Sequence, residues 1–238
     1  EWTFEYAKSF SPTSRVVVEE FLEGQQYSTE SVITDEKNIT LGFAERNYEF
    51  LEELSPYIIE NGGQQPAKID KKELDSIVKL VEKSSQILGI SNATSKGDVV
   101  MTKEGPKIIE IAPRLSGGYF SSDQIELVTG INITEIAIRL SLGEKINKDK
   151  LHFSYQKFVA IRYFFPKPGK IKKISGIKTA KKIPGVKDIF IIADKGDIVG
   201  NYRHSASRVN FVNIVSNTFE NLTVIEKMVR KTIRYEME

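Results

Sequence analysis

Two acidic residues, Asp98 and Glu110, fall in the segments 97–102 and 107–111, which the turn Lys103-Glu104-Gly105-Pro106 should fold into a hairpin. Partners in an antiparallel pair lie about 4.5–5.5 Å apart. If the register sets both side chains on one face, they form a hard, oxygen-rich site of the kind Mg²⁺ takes when it also bridges substrate phosphates. Glu110 breaks the apolar run Ile108-Ile109-Glu110-Ile111, and a charge among such neighbours is costly, so a break of this kind marks a task. Arg114 lies just beyond, where a guanidinium can pair with phosphate or carboxylate oxygens. The backbone N–H groups of Ser116, Gly117 and Gly118, ahead of a helical pattern, would add an anion cradle. Each feature alone has a plain structural alternative: a turn residue, a solvated edge residue, a loop before a helix. Together they specify a polyanion site.

A second informative stretch runs from Val16 through Glu19, Glu20, Phe21, Leu22 and Gly24 to Gln26. An apolar strand that enters a short acidic hinge can offer a backbone carbonyl and N–H to an adenine edge, while a later polar side chain reaches the ribose. A surface strand ending in a charged turn would look much the same.

Composition narrows the chemistry. The 238 residues include no Cys and only two His, so Cys-ligated metals, thiol catalysis, zinc-protease motifs and His-dependent triads have little to work with, and metal chemistry falls to carboxylates. Lack of Cys also fits a reducing compartment. With 34 Lys and Arg against 32 Asp and Glu, the charge argues for no particular partner. The N-terminus has no signal-peptide pattern and the apolar runs are too short to span a membrane. The expectation is a cytoplasmic protein without membrane partners.

The elements that must position these residues follow from periodicity. Residues 15–22 read as a strand, 27–34 as a second and 39–43 as a third, with the turn 35–38 between the last two, making an antiparallel meander. Asp70 should cap a helix in which Leu74, Ile77, Val78, Val81 and Leu88 recur until Gly89 stops it. The hairpin comes next, then helical patterns at 123–129 and from Asn132 or Thr134 to Leu142 with Gly143 as the stop. Residues 145–152 read as a linker. Short strands at 158–165, 186–193 and 208–215 and a last helix over 218–235 complete a smaller unit. The fold class is therefore α+β, with a boundary at 150: residues 1–150 form an antiparallel sheet flanked by helices, and 151–238 a smaller α+β unit. Lysines between Lys167 and Lys187 lack interleaved aromatics, so they read as a solvated or aggregation-blocking edge, not as a nucleic-acid surface.

The hinge EEFLEG (19–24) and the hairpin GDVVMTKEGPKIIEIAPRLSGG (97–118), in this order and spacing, resemble the large ATP-binding subdomain of the ATP-grasp superfamily over residues 15–145. EIAPRLSGG and the β-rich tail look most like its L-amino acid ligase and carboxylate–amine ligase branch. Biotin carboxylase and carbamoyl phosphate synthetase are relatives with the same hinge and hairpin, and a non-catalytic nucleotide-binding module is the remaining alternative. The resemblance implies an ATP-dependent ligase, in which a carboxylate attacks the γ-phosphate and the resulting acyl phosphate is captured by an amine. It implies ATP and Mg²⁺ as cofactors, with Mn²⁺ as a substitute. Glu19 and Leu22 would meet adenine through their backbone, Glu20 and Phe21 would form the hinge, and Gln26 would face the ribose. Asp98 and Glu110 would hold the metal. Arg114 would stabilise the transferring phosphoryl group, and Ser116, Gly117 and Gly118 the acyl phosphate. Arg162-Tyr163-Phe164-Phe165-Pro166, Gly169 and Arg208 match the branch in the tail.

Three residues depart from the family pattern: Gln26 at an acidic ribose position, Ala112 at an asparagine metal-ligand position, and Gly63 where related ligases have a histidine. The family's N-terminal domain and its glycine-rich loop have no counterpart ahead of the hinge. This leads to the expectation of a C-terminal part of a longer enzyme that binds ATP weakly and turns over negligibly alone. Its expected partners are small carboxylates and amines and the missing N-terminal domains, and a homodimer is among the assemblies left open.

Overall fold

The computed structural model describes residues 2–35 and 37–238, the side chain of Lys148 excepted. Helix α1 (Trp2–Ser9) is followed by an irregular stretch, then by strands β1 (Gln25–Ile33), β2 (Asn38–Arg46) and β3 (Gly63–Gln65). Helix α2 (Lys71–Ile87) precedes the hairpin β4 (Ala93–Thr102) and β5 (Gly105–Ala112). A π-helical turn at 120–124, α3 (Ile125–Thr129) and α4 (Ile133–Ser141) come next. The tail comprises β6 (Phe158–Tyr163), β7 (Gly169–Ser175), α5 (Ile177–Ala180), β8 (Val186–Phe190), β9 (Ile198–Val199), β10 (Phe211–Ser216), α6 (Phe219–Thr232) and β11 (Arg234–Met237).

Eight strands form one antiparallel sheet in the order β5-β4-β1-β2-β3-β6-β10-β8, so the sheet continues through the expected boundary at 150. Its registers define two faces. On the back, Tyr27, Phe43 and Val99 pack against Ile77 and Val81 of α2, and Ala160, Val212 and Ile214 pack against Leu222, Ile225 and Val229 of α6. The front carries Glu110, Asp98, Ser28, Ala44, Arg46, Gly63, Ile161, Tyr163, Phe211 and Phe190 as successive cross-strand or same-strand neighbours. Phe120, Ile125, Ile133 and Leu140 cover one end of the front through Val32 and Leu41.

Helix α2 forms where the pattern places it. The Asp70 carboxylate accepts the Glu73 N–H at 2.8 Å, satisfying a donor that the first turn leaves free. Leu88 turns outward instead of joining the core.

The main corrections concern partners. Residues 15–22 have strand composition but pair with no strand among the described residues, and Val17, Val18 and Phe21 are exposed. Strand propensity reflects packing against neighbours, and here none is supplied. The last helix ends at Thr232, because residues 234–237 pair with β7 as a strand. Strand β7 is central in a three-stranded sheet, β11-β7-β9, so its lysines do not guard an edge. Lys172 instead pairs with Glu236 across the ladder at 2.9 Å, and Lys181 with Asp188 at 3.1 Å. Residues 148–151 form a 3₁₀ turn within the expected linker. The expected turn at 35–38 includes Glu36, which lies outside the described residues.

Candidate functional site

Asp98 and Glu110 are direct cross-strand partners. A β-bulge puts them there. Val99 pairs with Ile108 and Asp98 with Glu110, so Ile109 is an extra residue with no partner. Strict alternation from Ile108, which packs toward the core, would turn Glu110 to the back. The extra residue brings it to the front and returns Ile111 to the core.

The pair is already dressed by cations. The Lys96 ammonium contacts Asp98 Oδ2 and stands 3.5 Å from Glu110 Oε1, and Arg114 Nη2 donates to that same Glu110 oxygen at 3.2 Å. Ser28 Oγ donates to Asp98 Oδ1 and itself accepts from Arg46 Nε at 2.7 Å. A cationic group thus rests against both carboxylates, and the donors are all oxygen, which suits Mg²⁺ or Mn²⁺. Among the described residues no group of three or more His, Asp or Glu converges as a metal cage. Two carboxylates leave coordination positions to water and phosphate, as Mg²⁺ commonly has them.

Two cavities flank the pair along the front of β4: Val100 lines the first, Lys96 the second, and Asp98 stands between. The first, of ≈ 430 Å³, is lined by Glu19, Glu20, Phe21, Leu22 and Gln26, so the five residues of the hinge segment meet in one place. Its other walls, Tyr48, Leu51, Ile58, Val100, Ile108 and Ile109, are largely apolar, with Lys107 adding a charge beside them. Gly24 allows this closure. Its φ is +150°, and a Cβ there would lie 2.0 Å from the Met101 carbonyl oxygen. Burial, with Glu60 adding, pushes the Tyr48 phenol up to about 12, so it is a neutral O–H at physiological pH.

The second cavity, of ≈ 310 Å³, gathers Arg46, Lys96, Arg114 and Arg208 around Gly117 and Gly118, with Glu60 as counter-charge. Glu60 accepts Arg46 Nη1 at 3.0 Å, and its backbone carbonyl accepts Arg208 Nη1 at 2.8 Å. The Arg208 guanidinium lies 4.0 Å from the centre of the Tyr163 ring, a cation–π contact that fixes its plane. A Cβ on Gly117 or Gly118 would meet nothing within 4 Å, so their backbone borders open space.

Ser116 differs from the expectation. It is buried, and its N–H donates inward to Glu30 Oε2 and Ser121 Oγ, both at 2.9 Å, so Gly117 and Gly118 are left to line the cavity. Glu30 is fully buried, and burial raises its pKa above the ordinary carboxylate range against the hydrogen bonds from Ser116 and Ser121.

Of the expected departures, Gly63 lines the second cavity and Ala112 is the ladder partner of Lys96. Lys96 was open to discovery in the sequence, since it precedes Asp98 by two and must share its face. Arg46 and Glu60 carry no local signal; long-range pairing brings them in. Arg162 lies on the back, donating to the Gly63 carbonyl at 2.9 Å and to Gln64 Oε1 at 2.8 Å, so it joins the tail to β3 and stays out of the cavity.

Comparison with known proteins matches residues 3–118 to the ATP-grasp domain family and residues 162–238 to the family of L-amino acid ligase C-terminal domain 2. An uncharacterized protein of Sinorhizobium fredii, y4rH, is 24% identical over 215 residues, which is 90% of this chain and 43% of that protein. The L-amino acid ligase from Bacillus licheniformis superposes with a TM-score of 0.81 at 18% identity, covering 92% of this chain and 55% of that one. Phosphoribosylglycinamide synthetase from Anaerococcus prevotii gives 0.76 at 16% identity, over 99% and 59%. Biotin carboxylase from Campylobacter jejuni gives 0.65 at 16%, over 100% and 53%. The chain spans about half the length of the relatives it matches. The hinge and hairpin thus match the ATP-grasp domain family, and the tail matches the family of L-amino acid ligase C-terminal domain 2.

Proposed function

We propose that this chain is the nucleotide-binding, Mg²⁺-dependent part of a longer carboxylate–amine ligase that uses an amino acid and works through an acyl phosphate. The observation that carries the reading is the direct opposition of Asp98 and Glu110 between an apolar cavity of ≈ 430 Å³ and a cation-lined one of ≈ 310 Å³. Adenine lies in the first, held by the backbone of Glu19 and Leu22 and by the hinge residues Glu20 and Phe21, with Gln26 toward the ribose. The phosphates extend over the carboxylate pair. The second cavity receives the substrate carboxylate among its arginines.

A substrate carboxylate oxygen attacks the γ-phosphorus, the bond from that phosphorus to the β-γ bridging oxygen breaks, and ADP leaves with the electron pair. The amine nitrogen then attacks the acyl carbon and phosphate departs, leaving an amide after the nitrogen loses a proton. Asp98 and Glu110 would hold Mg²⁺, which when bound would neutralise charge on the phosphates. Arg114 moves from Glu110 to the transferring phosphoryl group, where its guanidinium matches two oxygens at once. Gly117 and Gly118 donate backbone N–H groups to the acyl phosphate. Residues 1–150 supply the nucleotide and metal contacts, and residues 151–238 supply Tyr163 and Arg208 to the second cavity. The setting is the cytoplasm, where ATP is available.

The test is full-length protein with Mg-ATP and a panel of amino acids and other carboxylates, followed by ADP and phosphate release. Release should require both a carboxylate and an amine, and should fall about 10²-fold or more in Glu110→Ala and in Arg114→Ala. Undiminished release in both variants would refute the site assignment.

A further inference from the structure

The Lys96 ammonium occupies the place between the two carboxylates that a metal would need. It contacts Asp98 and lies 3.5 Å from Glu110, on a side chain only 10% exposed. With Arg114 on Glu110, two carboxylates are matched by two protein cations. A divalent ion at coordination distance from those oxygens and an ammonium cannot share this gap, because like charges so close repel strongly.

The ladder offers the ammonium another place. Lys96 is the cross-strand partner of Glu30, on the same front face, where Cβ atoms are about 4.5–5.5 Å apart. Glu30 has no solvent exposure, and only one of its oxygens is used: Oε2 accepts from Ser116 N–H and Ser121 Oγ, while Oε1 is buried without any partner. Such an atom is costly, and a cation brought to it would be well received. The four-carbon stem of lysine can swing between the two positions without moving the backbone.

We infer that Lys96 is a displaceable internal cation, which bridges Asp98 and Glu110 until a divalent ion enters and then crosses to Glu30 Oε1. This rests on the metal assignment made above. Until the ion arrives, Lys96 stops the two carboxylates from repelling each other. Once displaced, it loads the same Glu30 carboxylate that holds Ser116, so metal occupancy is communicated to the loop bearing Gly117 and Gly118. Lys96 is a positioning residue in this scheme and touches no reacting atom.

The probe is Mn²⁺ alone, titrated into the chain without nucleotide and followed by the electron paramagnetic resonance of free Mn²⁺. Lys96→Met removes the competing cation and should tighten Mn²⁺ binding by about tenfold. A damaged fold would weaken it instead, so unchanged or weaker binding by a folded Lys96→Met chain overturns the inference. Glu30→Gln removes the receiving charge and should weaken Mn²⁺ binding, independently of how Lys96→Met behaves; unchanged or tighter binding there also overturns it. Glu110→Ala separates the two levels. If it loses Mn²⁺ while Lys96→Met binds as the wild type does, only the displaceable cation fails. If it binds Mn²⁺ as the wild type does, the metal assignment fails and the inference with it.

Discussion

Glu30 shows how a single buried group leaves a mark on stability. Burial raises its pKa, so folding favours the protonated form. Its contribution is fully present below the ordinary carboxyl value of about 4.3 and is lost as pH rises through its higher folded value. Glu30→Gln keeps an acceptor for Ser116 N–H and removes the charge. The stability of this variant relative to wild type, from urea unfolding, should therefore grow in its favour as pH rises above the ordinary carboxyl range. A difference that stays constant with pH would contradict the account. Other residues fit their places through local chemistry that the sequence displays. Arg114 reaches Glu110 because the chain turns back within two residues of the end of β5, with the Arg114 N–H donating to the Ala112 carbonyl. Ser116 shows the limit of such reading, because its N–H turns inward to a carboxylate 86 positions away in the chain.

At the scale of elements, the bulge at Ile109 does most to build the site. The apolar run with one acid signalled that Glu110 has a task, but nothing local signals an extra residue in the ladder, and the same run without a bulge would bury the charge against α2. Deleting Ile109 should remove the bulge and leave Glu110 directly after Ile108, still opposite Asp98 on the front of the sheet. The expected result is a regular hairpin that still binds Mn²⁺, seen by Mn²⁺ titration with thermal unfolding as the check on the fold; loss of Mn²⁺ binding by a folded variant would contradict it. Helix α2 was legible because its determinants are local: a cap at Asp70, an apolar stripe and a glycine stop. The hairpin was legible for the same reason. Residues 15–22 misled because strand composition states what a segment tolerates, while a strand also needs a neighbour to bond. Strands β3, β9 and β11 are too short to show a period, and they exist through pairing with distant partners.

At the scale of the molecule, one sheet carries both sequence families, and the seam between β3 and β6 decides whether the second cavity exists. Arg162 holds that seam. It is 6% exposed and bonds Gly63 and Gln64 on one side and Glu226 of α6 at 2.9 Å on the other, while Arg230 links Glu226 to Glu49 at 2.8 Å each. Removing Arg162 leaves Glu226 to Arg230 alone and takes the donor from the Gly63 carbonyl and Gln64 Oε1. Arg162→Ala should cost about 3–5 kcal/mol by denaturant unfolding, and a loss well under ~1 kcal/mol would show the seam to be held otherwise. With the seam intact, the front face places an apolar groove, two opposed carboxylates and a cationic cavity in one line. The most direct test of that arrangement is the anomalous scattering of Mn²⁺ in crystals grown with Mn-ADP. The account predicts a peak bonded to carboxylate oxygens of both Asp98 and Glu110, at about 2–2.5 Å. Nucleotide in the groove with the Mn²⁺ peak bound to neither carboxylate would contradict it.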